Sequence, residues 1–165
     1  MRESDIRERI ALLERDLITW FPEALAKYYP HVRVSILTVF LRLSEDVLEA
    51  IYSRLHFVIE VLPADTESFS VCAPPPIERV RSENDYISGH LLKRESRKVY
   101  QYIYFLESAV LNRSSEYIMG TMARYVADAY LRYVVQKKGA PGEGAETLAK
   151  EWGFGAELVA YLREK

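Results

Sequence analysis

Residues 103–134 read IYFLESAVLNRSSEYIMGTMARYVADAYLRYV. The residues just before and through its start, VYQYIYF (99–105), alternate and are rich in aromatics, which fits a strand. Ser114 and Ser115 stand before Glu116, a helix cap, and a helix is predicted from there through about Gln136. Downstream, Gly139, Pro141, Gly142 and Gly144 mark a break. The next helix, ETLAKEW, stops at Gly153, a natural C-terminal cap, and AELVAYLREK supplies the last helical turns.

Working back toward the N-terminus, residues 74–98 are harder to place. Pro74, Pro75 and Pro76 stop any regular element, and the mixed charges that follow predict a surface loop, with or without a short helix. Before it, HFVIEVL (56–62) reads as a strand and 68–73 as a further one. Ser44, followed by Glu45 and Asp46, opens a helix over SEDVLEAIYSRL. VRVSILTVFL (32–41) is rich in β-branched and aromatic types and reads as a strand buried on both faces over part of its length. Residues 4–27 read as a helix capped by Ser4, with Ile6, Ile10, Leu13, Leu17 and Trp20 in one apolar stripe. Pro22 either kinks it or starts a short second helix. The expected fold is α+β over a single domain, 1–165: a small mixed or antiparallel sheet packed against helices.

Composition limits the function. A chain of 165 residues that is 49% hydrophobic can bury one substantial core. A net charge of -2 with 28% charged residues points away from disorder, a nucleic-acid cloak or a membrane-surface protein. The lone cysteine, Cys72, cannot close an intramolecular disulfide. The N-terminus is charged without an apolar signal core, and no apolar run approaches the roughly 20 residues that cross a bilayer, so a cytoplasmic location is expected. Scarce Asn and Gln beside plentiful Arg and Glu is a thermophile-like bias.

The stretch 103–134 resembles the active-site region of small zincin metallopeptidase-like proteins. In that family an edge strand binds extended substrate, a short loop follows, and a helix carries H-E-x-x-H inside a frame such as A-H-E-x-A-H-x-x-L. Here the frame is present as Ala123, Ala127 and Leu131, with Gly120 matching a glycine that often precedes it. The chemical positions differ. Arg124 stands at the first histidine, Tyr125 at the catalytic glutamate and Asp128 at the second histidine. AETLAKEWGF looks like the family's next helix, where an E-x-x-A-D pattern supplies the third ligand and a supporting carboxylate. Ala145 and Glu146 match its A-D pair, which puts the ligand position at Gly142, with Glu143 beside it. The resemblance covers roughly residues 99–155; the N-terminal half agrees only in its order of elements. It implies a zincin-like frame without zinc, cofactor or peptidase activity.

The residues themselves argue the same way. Zinc catalysis needs two imidazoles one helical turn apart, a third ligand and an open position for water, with a glutamate as base. The three histidines, His31, His56 and His90, are not within helical reach of one another, and none lies in the candidate helix. A guanidinium does not ligate zinc. In place of a metal, Arg124 and Asp128 are spaced to pair, Asp128 and Arg132 repeat that spacing, and Glu146 can join them. The expectation is an ionic cross-link; the alternative is a solvated charged face.

Other constellations are weaker. Cys72 and His90 lack any nucleophile motif, which favours a buried structural cysteine. Tyr100, Tyr102, Tyr104, Tyr117, Tyr125, Tyr130 and Tyr133 with an upstream basic run suggest single-stranded nucleic acid, but Glu78, Glu83, Asp85 and Glu95 interrupt the run. GAPGEG reads as a connector, without the lysine of a phosphate loop. The tyrosine excess suits a protein interface better. The expected function is therefore a protein-binding or self-associating module, acting through the former cleft or through strand addition at Tyr100, Tyr102 and Tyr104. The alternative is an enzyme that reuses Arg124, Tyr125, Asp128 and Glu146 as a metal-free polar site.

Overall fold

A parallel three-strand ladder runs through the centre of the computed structural model, which describes residues 2–21, 24–62, 77–79, 84–87, 90–93, 98–140 and 142–164. Strand β1 (Ile18–Phe21) pairs in parallel with β2 (Leu55–Leu62), and β2 in parallel with β6 (Val99–Leu106). β3 (Ile77–Arg79) adds antiparallel to the far side of β6, giving a four-stranded mixed sheet in the order β1-β2-β6-β3. The α+β expectation with a small mixed sheet is met. A separate hairpin joins β4 (Asn84–Ile87) to β5 (His90–Lys93).

β2 is buried on both faces from Leu55 through Glu60, which its near-continuous apolar run requires of a parallel strand. Phe57, Ile59, Ile103 and Phe105 point from one face into the main core. Val58, Tyr100 and Tyr102 point the other way and form a second small cluster with Phe21 and Tyr104.

Helices supply the rest of the main core. α1 (Glu3–Asp16) starts one residue before the expected Ser4 cap, with Arg2 at the cap position. α4 (Glu45–Arg54) is capped by Ser44, whose side chain accepts the Val47 amide at 3.3 Å. α5 (Glu107–Asn112) follows β6 directly. α6 (Ser115–Ala129) is capped by Ser114, whose hydroxyl accepts the Tyr117 amide at 3.1 Å. Ser114 in turn donates from its amide and hydroxyl to Glu164, at 2.8 and 2.6 Å, which fastens the far end of α8 (Gly155–Glu164) to the start of α6. Those two hydrogen bonds hold the Glu164 carboxyl below the usual carboxylate range. α7 (Ala145–Glu151) ends in the predicted glycine cap: Gly153 has φ +98°, and the Phe154 and Gly153 amides donate to Ala149 and Lys150 carbonyls at 3.0 and 2.9 Å.

Three expectations are corrected. The stretch 32–41 is helix α3 (Pro30–Leu41), not a strand. Pro30 occupies the first helical position, and Val32, Ile36, Val39 and Phe40 line its buried face. The Ser35 and Thr38 hydroxyls donate back to the His31 and Val34 carbonyls at 2.7 and 2.6 Å, so neither competes with the helix. Residues 4–27 are not one helix: the chain leaves α1 at Asp16, forms β1, and resumes as the single turn α2 (Leu25–Tyr28). Residues 74–98 carry β3, β4 and β5 where a loop or short helix was expected; the predicted strand 68–73, and Cys72 with it, lie outside the described residues.

Candidate functional site

α6 does not end as an α-helix. It continues into a π-turn, Tyr130–Val134, closed by the Val135 amide donating to the Tyr130 carbonyl at 3.0 Å. Such turns are frequent at functional sites. Gln136 then takes φ +60°, the only non-glycine in the left-handed region among the described residues. The Lys137 amide bonds back to the Leu131 carbonyl at 2.8 Å. From there the chain crosses to α7 through Gly139, Gly142 and Gly144, all at positive φ.

The five positions that the zincin resemblance singles out separate into two groups. Asp128, Gly142, Arg124 and Glu146 meet where α6 faces the glycine segment and α7. Asp128 Oδ1 accepts the Gly142 amide at 2.8 Å, and Arg124 Nε lies 3.5 Å from Glu146 Oε1. The ionic tie therefore runs from α6 to α7, and the Asp128 carboxylate holds backbone of the glycine segment. Gly142 has a structural reason to lack a side chain, since a Cβ there would stand 3.1 Å from an Arg124 terminal nitrogen at a φ of +82°. Tyr125 points away into the core at 4% exposure. Burial first, then the neighbouring Tyr161, pushes its phenol well above the usual range, so it stays protonated and is no substitute for a catalytic carboxylate.

Tyr100 and Tyr102 are not on a free edge, while Tyr104 lies past the span that β3 pairs. β2 lies along one side of β6 for its whole length, and β3 occupies the other side from Tyr100 to Tyr102. Tyr100 and Tyr102 are 2% and 1% exposed. Strand addition there, and base stacking on these two rings, lose their basis for that reason. Tyr117 and Tyr125 are buried as well. His56 stacks on Tyr100 with ring centroids 4.9 Å apart and lies 2.7 Å from Thr19 Oγ1, while His31 reaches the Val110 carbonyl at 2.8 Å. These two histidines serve different parts of the fold.

What the sequence did not single out is a cleft beside Asp128. It has a volume of about 360 Å³ between the π-turn and the glycine segment. Its charged and polar walls are Asp128, Arg132, Tyr133, Lys137, Lys138 and Glu143. Glu143 Oε2 accepts the Ala140 amide at 3.0 Å and would lie 2.6 Å from a Cβ on Gly139, so it too is turned onto the segment's own backbone. Burial raises the Tyr133 phenol against the opposing pull of Arg132. The Tyr133 carbonyl accepts from Arg54 Nε at 3.3 Å, which fixes the π-turn against α4. The closely spaced glycines of GAPGEG were the available signal. A second hollow, about 590 Å³ and lined by Leu12, Asp16, Tyr52 and Lys98, is less polar; there Asp16 is tied to Arg15 at 2.8 Å and its carbonyl to Lys98 at 3.2 Å.

Compared with known proteins, the chain matches no family model, no curated protein and no solved structure. No group of three or more metal-binding side chains occurs among the described residues, and none of the described helices is long and apolar enough to cross a membrane.

Proposed function

We propose that this chain is a non-catalytic binding domain on a zincin-like frame, and that its working surface is the cleft between the π-turn and the glycine segment. The observation that carries the reading is what the side chains at the H-E-x-x-H positions do. Arg124 ties α6 to α7, Asp128 anchors the glycine segment through Gly142, and Tyr125 fills the core. Of these positions Asp128 lines the cleft, while Arg124 and Tyr125 hold the helices around it. Of the two routes expected from the sequence, strand addition on Tyr100 and Tyr102 is withdrawn, and the former substrate cleft gives way to this one, which the sequence did not single out. A volume of about 360 Å³ lies in the range of small-ligand sites.

The test has two readouts on the full chain. Elemental analysis of tag-free protein after mild dialysis should find zinc far below one equivalent. An amide-detected NMR screen of small-molecule fragments should give binders whose shifts cluster on residues 131–144. Stoichiometric zinc, or binders that all map elsewhere, overturns the reading.

A further inference from the structure

We infer that the cleft beside the π-turn is a site for a small phosphate monoester, gripped by Lys137 and Lys138. The inference rests on the reading of this cleft as the binding surface and adds the chemistry of the ligand. Five charged side chains line the cleft: Arg132, Lys137 and Lys138 against Asp128 and Glu143. The carboxylates are already engaged. Asp128 accepts the Gly142 amide at 2.8 Å, and Glu143 accepts the Ala140 amide at 3.0 Å. Each carboxylate therefore holds the segment in place and meets part of its hydrogen-bonding need from backbone, not from the lysines.

The cations are placed differently. Lys137 and Lys138 form no ion pair with any carboxylate among the described residues, though both line a cleft that holds two of them. The left-handed turn at Gln136 brings them over the cleft directly after the π-turn. The Lys137 ammonium lies only 3.0 Å from where a Cβ on Gly144 would stand, so the bare glycine makes room for it. Arg132 lines the same wall and adds a third positive charge. Two ammonium groups and a guanidinium lining one cleft match the double charge of a phosphate monoester. The volume of about 360 Å³ leaves room for a modest organic body beyond the phosphate.

The test titrates labelled full-length protein with phenyl phosphate, inorganic phosphate and, as neutral control, benzyl alcohol, all at matched ionic strength. Phenyl phosphate should give saturable amide shifts confined to residues 131–144. The double variant Lys137→Ala/Lys138→Ala should weaken that binding roughly tenfold or more, as loss of two charge-assisted contacts requires. Lys150→Ala, an exposed lysine on α7, should leave it unchanged. An unchanged spectrum away from the cleft shows that the double variant folds. No saturable shift with either phosphate, or equal weakening by Lys150→Ala, overturns the inference. If neutral fragments occupy the cleft while phosphates do not, the ligand class falls and the binding reading stands. If nothing occupies it, both fall.

Discussion

Gly120 and Glu157 meet backbone to backbone: a Cβ built on Gly120 would stand 2.1 Å from the Glu157 carbonyl oxygen and 3.0 Å from the Tyr161 Cβ. α8 therefore lies on α6 at a distance only glycine permits, and the buried Ala123 and Ala127 keep the same helix narrow further along. The Gly120 position that the zincin resemblance singles out thus has a packing role of its own. Gly120→Ala forces the two helices apart and should destabilise the chain by about 3 kcal/mol, at the upper end for overpacking a tight interface. Urea unfolding would show a lower midpoint at unchanged slope. A loss under about 1 kcal/mol would mean that α8 can shift freely, against the close approach seen here.

Gln136 makes the opposite kind of prediction. A left-handed residue with a Cβ carries about 1–2 kcal/mol of strain, and glycine's extra unfolded-state entropy returns about 0.5–1 of it. Gln136→Gly should therefore stabilise the chain by about 0.5–1 kcal/mol. Thermal unfolding measures it. A destabilised variant would show that the Gln136 side chain makes contacts worth more than the strain.

Much of the fold was legible in local pattern. Ser44 and Ser114 marked two helix starts, Gly153 marked a stop, and the runs at 56–62 and 99–105 were strands in fact. α3 was misread because its outward side carries Val34, 57% exposed, where a polar residue would have revealed the helical period. β1 was missed because ITWF continues the apolar spacing of α1 without a turn signal. The pairing of β6 on both sides depends on a partner some twenty residues upstream, a non-local fact that no strand pattern carries. At the candidate site, the structure ties Arg124 to Glu146 and Asp128 to the Gly142 amide, where the helical spacing suggests an Arg124–Asp128 pair. The cleft itself was hidden because it depends on a π-turn and on glycine backbone angles, neither of which changes the order of residue types.

The Glu14 cluster predicts an acid-sensitive fold. Arg33 donates twice to Glu14, at 2.8 and 2.6 Å, and the Trp20 indole donates at 2.7 Å, so one carboxylate joins α1, β1 and α3. The Arg33 hydrogen bonds, opposed by partial burial, hold the Glu14 pKa below its ordinary 4.5. A depressed folded value means the unfolded chain takes up the proton first on acidification. The cluster's contribution is thus fully present above pH 4.5 and is lost as pH falls through the lowered folded value. Unfolding midpoints measured from neutral pH downward should fall less steeply in Glu14→Gln than in the parent. Parallel curves would sink the assignment.

The two ties between α6 and the segment after it should differ in strength. Arg124 and Glu146 stand 3.5 Å apart with the Glu146 side chain 47% exposed, a geometry in which solvent screens most of the attraction. A double-mutant cycle on Arg124→Ala and Glu146→Ala should return a coupling of about 0.5 kcal/mol or less. Asp128 is 7% exposed and accepts a 2.8 Å bond from a backbone amide of a segment that has few other anchors. Asp128→Ala should cost about 1–2 kcal/mol, while Asp128→Asn, which keeps an acceptor oxygen, should recover most of it. Hydrogen exchange at the Gly142 amide provides the local readout: fast in the alanine variant, slow in the asparagine variant. If instead the Arg124–Glu146 coupling exceeded the Asp128→Ala loss, the ion pair and not the carboxylate-to-backbone bond would be what shapes the cleft. The ligand contacts would then have to be sought nearer α7.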